Sequence, residues 1–253
     1  MLAELVQGGI FAFLLIFVRV GSAMTVMPAF SEPFINMRTR LSLALATTLA
    51  ITPALIDVLP PLPDSALFLL LFILGEAFVG FFLGIIARCV MTALQTAGMV
   101  IAMMVGLANA LTQDITAAEQ GSIMGALLST MGLLVILSLN LHHLLLMALI
   151  DSYTLFVPGT VPMVEDMAQH LTRVVAGSFD LGIRLSAPFI ALAVIFYVGL
   201  GIINRLMASI QIFFIAIPLQ IMAGLVMMMF AIPIIYQWFV QAFEGRISAF
   251  VLP

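Results

Sequence analysis

The sequence predicts an all-α membrane protein, and three observations lead to that fold class. Hydrophobic residues make up 64% of the 253-residue chain and charged residues only 8%, whereas soluble domains are about a quarter charged. All eight basic residues are arginine, so very little of the surface resembles that of a water-soluble helical protein. The apolar segments are continuous, whereas a membrane β-barrel would show alternating segments of about ten residues. This composition excludes a soluble fold, intrinsic disorder, a nucleic-acid-binding surface and a disulfide scaffold.

Seven apolar segments follow one another along the chain. A hydrocarbon core of about 30 Å needs about 20 apolar residues for each spanning helix. The segments lie at residues 5–27, 41–59, 65–87, 91–111, 122–150, 185–203 and 206–243. Pro28 and the prolines at positions 60, 61 and 63 should end the first two segments. Pro218 and Pro233 indicate kinks or a re-entrant course in the last segment. We therefore expect five to seven apolar helices, arranged as hairpins.

One face of the third segment carries Glu76, Gly80, Gly84 and Arg88 at intervals of four residues. The two glycines would let another backbone approach closely. A carboxylate inside a membrane is costly, and two interpretations stay open: tight helix packing, or a Glu76 that titrates and couples to proton flow. Arg88 lies about three turns from Glu76, so the partner of Glu76 should lie on another helix or subunit. Arg19, deep in the first segment, should face an acid or a wet cavity.

No motif in the sequence predicts enzymatic chemistry or a bound cofactor. His142 and His143 are adjacent and would point about 100° apart on a helix, so they cannot bind one metal ion together. The HExxH and GxSxG motifs and the glycine-rich loops that hold phosphates are absent from the sequence. The single cysteine, Cys89, cannot form an internal disulfide. We therefore expect no catalytic, cofactor-binding or metal-binding residues.

The clearest candidate for a functional segment is residues 106–121, which we call the plug segment. Small and apolar residues lead there into a polar stretch between two apolar helices. Irregular backbone at such a depth is tolerated only when it is buried in protein or lines an aqueous cavity. A loop that plugs a pore meets this condition, and an ordinary exposed loop is the alternative. Methionines beside it could seal, because their side chains are deformable. The candidate plug or gate residues are Met103, Met104, Gly106, Leu107, Asn109, Leu111, Gln113 and Asp114.

Several motifs, in order along nearly the whole chain, resemble those of the flagellar export-gate R subunit family (FliR). They are Arg19-Val20, Met27-Pro28-Ala29-Phe30, Gln95-Thr96-Ala97-Gly98, Leu139-Asn140-Leu141-His142-His143, Leu200-Gly201-Ile202-Ile203-Asn204-Arg205 and Pro218-Leu219. The chain departs from the family at Ala208-Ser209, where Pro-Gln is usual, and at Ala216, where glycine is usual.

The resemblance implies a structural, pore-forming subunit of the flagellar type III protein export gate. Such a subunit gates the passage of unfolded flagellar proteins across the bacterial inner membrane, in the flagellar basal body. Its implied partners are several copies of the P and Q subunits in a helical assembly, the B subunit, unfolded export substrates and membrane lipid, without nucleic acid. Residues 1–159 would be P-like and contain the plug segment, and residues 160–253 would form a Q-like hairpin.

Residues of the second candidate group would make subunit contacts or hold the structure together, because an assembly that buries charges must pair them. They are Arg19, Glu76, Gly80, Gly84, Arg88, Asn204, Arg205 and Pro218. The alternative function is a secondary transporter of a small solute or proton, with Glu76 and Asp114 as coupling groups. Transporters often contain internal repeats, and the helix lengths and Gly and Pro positions show no convincing repeat.

Overall fold

The structure, a computed structural model, describes residues 2–63, 65–107, 122–160, 163–206 and 212–251. Within these ranges it is helical and contains no β-strand, which confirms the predicted all-α class. The α-helices there are α1 (Leu2–Val26), α2 (Met37–Leu55), α3 (Ala66–Val105), α4 (Ile123–Ser138), α5 (Leu141–Leu155), α6 (Val164–Leu206) and α7 (Ile212–Ile247). Short 3-10 turns follow α2 at Ile56–Val58 and α7 at Ser248–Phe250.

Two of the helices are longer than the sequence predicts. The segments 65–87 and 91–111 were expected as separate helices, but α3 runs through both as one helix of 40 residues. No proline or glycine lies between them to break it. α6 begins well before the expected apolar segment and has 43 residues. Glu165 and Asp166 lie in its first turn, where negative charge interacts favourably with the helix dipole.

The apolar segment 122–150 forms two helices, α4 and α5, instead of one. Their axes differ by 73°. Asn140 lies between them with φ of 59° and ψ of 20°, which is the left-handed conformation. Asparagine adopts this conformation more readily than most residues, so the bend needs no proline or glycine.

α7 contains both prolines that were expected to bend or interrupt the last segment. Pro218 and Pro233 lie inside a helix that continues from Ile212 to Ile247. A proline removes one backbone hydrogen bond and kinks a helix without necessarily ending it. The described part of this segment is therefore a continuous helix, not a re-entrant loop.

Four helices contain a stretch that is long and apolar enough to cross a membrane: α1, α3, α6 and α7. The bent pair of α4 and α5 would make a fifth if it forms one span. A 40-residue helix such as α3 is about 60 Å long, about twice the thickness of the hydrocarbon core. The number of apolar segments in the sequence therefore exceeds the number of candidate spans in the described part of the chain.

The chain divides into two compact units, and α3, α4, α6 and α7 contribute to both. The first unit comprises Met1–Cys89, Ile136–Val175 and Phe243–Pro253, and the second comprises Val90–Val135 and Ala176–Ala242. Buried side chains of the first unit include Leu15, Ile16, Met24, Ile86 and Leu149, and those of the second include Leu94, Ile101, Leu128, Phe189 and Phe239. A buried contact between α7 and α4 in the second unit is the hydrogen bond from the Tyr236 hydroxyl to the Leu128 carbonyl, at 2.9 Å.

Candidate functional site

The plug segment begins at the end of α3, where the chain turns at a glycine. Gly106 has φ of +84°, a left-handed conformation that glycine adopts without steric cost. Its N–H donates a hydrogen bond to the carbonyl of Met103, at 3.3 Å. The Met103 side chain is 61% exposed, whereas Val105 is buried. The sequence around Gly106 therefore ends α3 and starts the plug segment at one residue.

Gln220 of α7 holds this end of α3. Its side-chain Nε2 donates to the Met104 carbonyl oxygen at 2.7 Å and to the Tyr197 hydroxyl oxygen at 3.1 Å. The Gln220 side chain is buried, and its amide carbon would lie 3.6 Å from a Cβ atom at Gly106. We call this arrangement of Gln220, Met104 and Tyr197 the Gln220 bridge. It connects α3, α6 and α7 within the second unit.

The other end of the plug segment is held against α3 as well. Ser122, directly before α4, donates from its hydroxyl to the Gly98 carbonyl at 3.3 Å and accepts from the Gly125 N–H at 3.3 Å. A Cβ atom added to Gly98 would overlap the backbone of Gly125 and of Met124. The backbones of α3 and α4 are therefore in direct contact, and Ser122, the residue that follows the plug segment, is held against α3.

The structure thus brings together four of the eight candidate plug residues, Met103, Met104, Gly106 and Leu107, in the last turn of α3 and directly after it. The other four lie outside the described residues: Asn109, Leu111, Gln113 and Asp114. Their assignment stays a prediction. Gly121, the last residue of the plug segment, lies outside the described residues too.

A second arrangement of polar groups lies in the first unit, where Arg19 of α1 meets Glu76 of α3. Arg19 Nε lies 2.6 Å from Glu76 Oε2, and Nη2 lies 3.1 Å from Oε1. The two side chains are only 1% and 3% exposed. A bidentate arrangement of this kind is the strongest hydrogen-bonded geometry that arginine and a carboxylate can form. The expected partner of each charge is therefore present on another helix of the same chain.

Residues in and directly after α5 supply further contacts of the Arg19 guanidinium. Nη1 donates to the Ser152 hydroxyl oxygen at 3.1 Å, and Nη2 donates to the Phe156 carbonyl just after the helix at 2.9 Å. The guanidinium carbon lies 3.9 Å from the ring centroid of Tyr153, a distance at which a cation is attracted by the aromatic face. A buried arginine needs this many partners because each unsatisfied buried donor is costly.

Gly80 and Gly84 lie where the backbone of α1 approaches α3 closely. A Cβ atom at Gly80 would overlap the Arg19 carbonyl oxygen and the Ser22 hydroxyl, and one at Gly84 would lie 3.0 Å from the Ala23 carbonyl oxygen. This is the close backbone approach that the four-residue spacing predicts, and the approaching helix is α1 of the same chain. The approach places Arg19 beside Glu76, one turn before Gly80.

The remaining candidate contact residues lie at three separate places. Arg88 Nη1 is 3.0 Å from Glu32 Oε1 in the loop after α1, and its side chain is 39% exposed. Asn204 and Arg205 are exposed in the last turn of α6, and Pro218 is exposed on α7. In the part of the chain that the structure describes, no group of three or more His, Cys, Asp or Glu side chains could hold a metal ion.

The sequence did not single out Gln220, Tyr197, Ser152 or Tyr153. A signal for Gln220 was present, because a polar side chain inside a long uncharged segment needs a hydrogen-bond partner. Its partner is a backbone carbonyl, and no sequence pattern identifies which carbonyl that is. Ser152 and Tyr153 carry ordinary side chains whose importance comes only from the position of Arg19.

The chain matches the family model described as bacterial export proteins, family 1, over residues 10–245. It is 34% identical over 211 residues to the flagellar biosynthetic protein FliR of Caulobacter vibrioides, covering 83% of this chain and 84% of that one. The protein of the same name from Aquifex aeolicus is 28% identical, and the match covers 95% of this chain and 95% of that one. The one from Escherichia coli is also 28% identical, and the match covers 86% of this chain and 82% of that one. The chain belongs to family 1 of the bacterial export proteins.

Proposed function

We propose that this chain is the R-type, pore-forming subunit of the flagellar type III export gate and that its plug segment closes the pore. The observation that carries the proposal is the family match over residues 10–245, together with relatives named flagellar biosynthetic protein FliR. The chain is thus a subunit of the flagellar export apparatus, and its apolar helices make it a membrane protein of that apparatus. The pore and its gating by residues 106–121 are the proposed part.

The positions of the residues at the two ends of the plug segment, Gly106 and Ser122, support its role as a plug. The chain leaves α3 at Gly106 and returns at Ser122, and α3 holds both points within the second unit. A loop with fixed ends has a limited reach, so it can return to one position after it is displaced. Met103 and Met104 next to it have deformable side chains that can seal around different surfaces. Opening would then be a shift in population between a sealed and an open position of the plug segment.

Exposed apolar surface supports assembly with other subunits or lipid. Ile195 on α6 and Met229 and Phe230 on α7 are 71–75% exposed in the isolated chain. Apolar surface on this scale is covered in the cell by membrane or by partner proteins. The proposed partners are several P and Q subunits with one copy of this chain, the B subunit, unfolded export substrates and lipid of the inner membrane. The division into a P-like part at 1–159 and a Q-like part at 160–253 belongs to the same proposal.

Deleting the plug segment tests the proposal directly. A gate assembled with a chain that lacks residues 109–120 should conduct ions at rest, and conductance across a bilayer containing the purified complex measures this leak. The matched control keeps the length of the loop but scrambles the order of residues 109–120, which separates the bulk of the loop from its sequence. If a fully assembled deletion variant shows the resting conductance of the wild-type gate, the plug proposal is wrong.

The geometry gives less support to a transporter that uses Glu76. That carboxylate accepts two hydrogen bonds from Arg19, so it is held as one half of an ion pair. It does line a mostly apolar cavity of about 820 Å³ in the first unit, where a small solute would have room. Purification in detergent distinguishes the two functions. A large complex with two smaller membrane partners favours the gate, and a lone or homodimeric chain that takes up a solute in vesicles favours the transporter.

A further inference from the structure

We propose that Gln220 is a positioning residue of the gate: its side-chain amide fixes the end of α3, and with it the start of the plug segment, in the closed state. This inference rests on the proposed function in one respect, the role of the plug segment. The position of the α3 end is a structural property that can be measured separately. All the residues of the Gln220 bridge belong to the second unit.

The Met104 carbonyl is the group that needs a partner. The last four carbonyls of an α-helix have no N–H of the same helix to bind. At Gly106 the chain turns into the left-handed conformation, so the backbone that follows does not continue the helical ladder. Gln220 donates to the Met104 carbonyl at 2.7 Å. A side chain of α7 therefore takes the place of the missing N–H from α3.

The same amide nitrogen also binds a third helix. Nε2 carries two N–H groups, and the second donates to the Tyr197 hydroxyl of α6 at 3.1 Å. Both donors of a buried side chain are thus used, and both partners lie on other helices. A shift of α6 or α7 relative to α3 would break at least one of these bonds. The Gln220 bridge consequently couples the start of the plug segment to the position of two helices.

One turn after Gln220, close packing also holds α7 against the end of α3. Gly224 follows Gln220 by four residues and lies on the same face of the helix. A Cβ atom at Gly224 would overlap the side chain of Val105, the last residue of α3. α7 therefore presents a hydrogen-bonding residue and a glycine to the last turn of α3, and both are uncharged.

A neutral bridge suits a contact that must open and close again. A hydrogen bond between uncharged groups stabilises a fold by only about 0.5–1.5 kcal/mol net. Thermal energy is therefore sufficient to break this hydrogen bond when the gate opens. No isolated charge is then left in an apolar environment. The bridge can bias the gate towards the closed state without locking it.

The test compares two variants of Gln220 with a matched control in the assembled gate. Gln220→Leu removes both donors, and Gln220→Asn keeps a buried amide that is one methylene too short to reach the Met104 carbonyl. Gln237→Leu changes an exposed glutamine of the same helix and is the control. Two quantities are measured: hydrogen exchange of the backbone amides at residues 103–107, and the resting conductance of the complex in a bilayer.

Both Gln220 variants should increase amide exchange at residues 103–107 and resting conductance about tenfold, as expected for the loss of one to two hydrogen bonds. Gln237→Leu should change neither. Wild-type exchange in an assembled Gln220→Asn complex would overturn the proposal, whatever the conductance. Raised exchange with wild-type conductance would also overturn it, provided that deletion of residues 109–120 makes the gate leak. If that deletion causes no leak, the proposed function fails, and exchange alone decides whether Gln220 positions the α3 end.

Discussion

The Arg19–Glu76 pair of the first unit and the Gln220 bridge of the second unit satisfy buried polar groups in opposite ways. The first uses two full charges, a bidentate contact and additional partners from α5. The second uses one neutral amide between a backbone carbonyl and a hydroxyl. Each joins three helical segments of the chain, but breaking the two would have very different consequences.

The difference follows from what remains after each contact breaks. Separating a buried ion pair leaves two uncompensated charges, whose cost is several kcal/mol. Separating the Gln220 amide from its partners leaves neutral groups, whose loss of a hydrogen bond destabilises the protein less than an uncompensated charge does. We infer that the ion pair marks a part of the subunit that stays fixed, and that the Gln220 bridge marks a part that can move. Substitutions in each contact test this contrast.

The largest effect is expected from Glu76→Leu, which leaves Arg19 buried without its counter-charge. Removing one partner of a buried pair costs about 3–5 kcal/mol. The amount of assembled complex recovered from membranes should therefore fall strongly, and the midpoint of unfolding by SDS in mixed detergent micelles should decrease.

Replacing both partners is the control for this prediction. In Arg19→Met with Glu76→Leu no charge is left, and replacement of a buried pair by apolar residues of similar volume is often neutral or stabilising. The double variant should recover most of the assembly that Glu76→Leu loses. If both variants assemble equally poorly, the charge of Glu76 has a role beyond satisfying Arg19.

The contact between the backbones of α3 and α4 in the second unit should be the next most sensitive site. Gly98→Ala places a methyl group against the backbone of Gly125, and overpacking of this kind costs about 1–3 kcal/mol. Gly199→Ala is the matched control, because a Cβ atom there meets no atom within 4 Å. The SDS midpoint should decrease for Gly98→Ala alone, and an equal decrease for both would mean that helix flexibility, not contact, matters at Gly98.

Tyr153→Phe separates the contribution of the aromatic ring beside Arg19 from that of the Tyr153 hydroxyl. The ring lies under the Arg19 guanidinium, whereas the hydroxyl has no hydrogen-bond partner among the residues that the structure describes. Removing a buried polar atom without a partner should stabilise the fold by about 1 kcal/mol, because the aromatic face is retained. A lower SDS midpoint for Tyr153→Phe would show that the hydroxyl has a partner in the assembled gate.

Helical periodicity and the free-energy cost of burying a charge predict part of this structure. The four-residue spacing of Glu76, Gly80 and Gly84 predicts one face and a close approach, since both depend only on helix geometry. The cost of a buried charge predicts that Arg19 faces an acid or a wet cavity. Neither principle says which helix approaches, so the pairing of Arg19 with Glu76 came only from the structure.

Other features depend on contacts that no local pattern encodes. The Gln220 bridge joins residues 116 positions apart in the sequence, and its acceptor is a backbone carbonyl that every residue possesses. The sequence does not predict the bend at Asn140, because the surrounding segment is mostly apolar and the residue that turns is neither proline nor glycine. The sequence separates residues 65–87 from residues 91–111 around Arg88, whereas α3 continues through this position and Arg88 reaches Glu32 from within the helix.

Arg88 provides the smallest predicted effect, and it completes a series of ion pairs of increasing exposure. The Arg19 and Glu76 side chains are 1% and 3% exposed, those of Arg88 and Glu32 are 39% and 14%, and those of Arg184 and Asp180 are 66% and 58%. Exposed pairs contribute only about 0–1 kcal/mol, because water and salt screen them. Arg88→Gln should therefore lower the SDS midpoint slightly, and Arg184→Gln should leave it unchanged.

The salt dependence of these two variants checks the physical cause. If screening limits the Arg88–Glu32 pair, raising the ionic strength should reduce the small difference between Arg88→Gln and wild type, whereas the loss caused by Glu76→Leu should persist at every salt concentration. A loss for Arg88→Gln as large and as salt-independent as that for Glu76→Leu would contradict the series. In that case Arg88 would be buried by another subunit in the assembled gate, and the Arg88–Glu32 pair would be as firmly fixed as the Arg19–Glu76 pair.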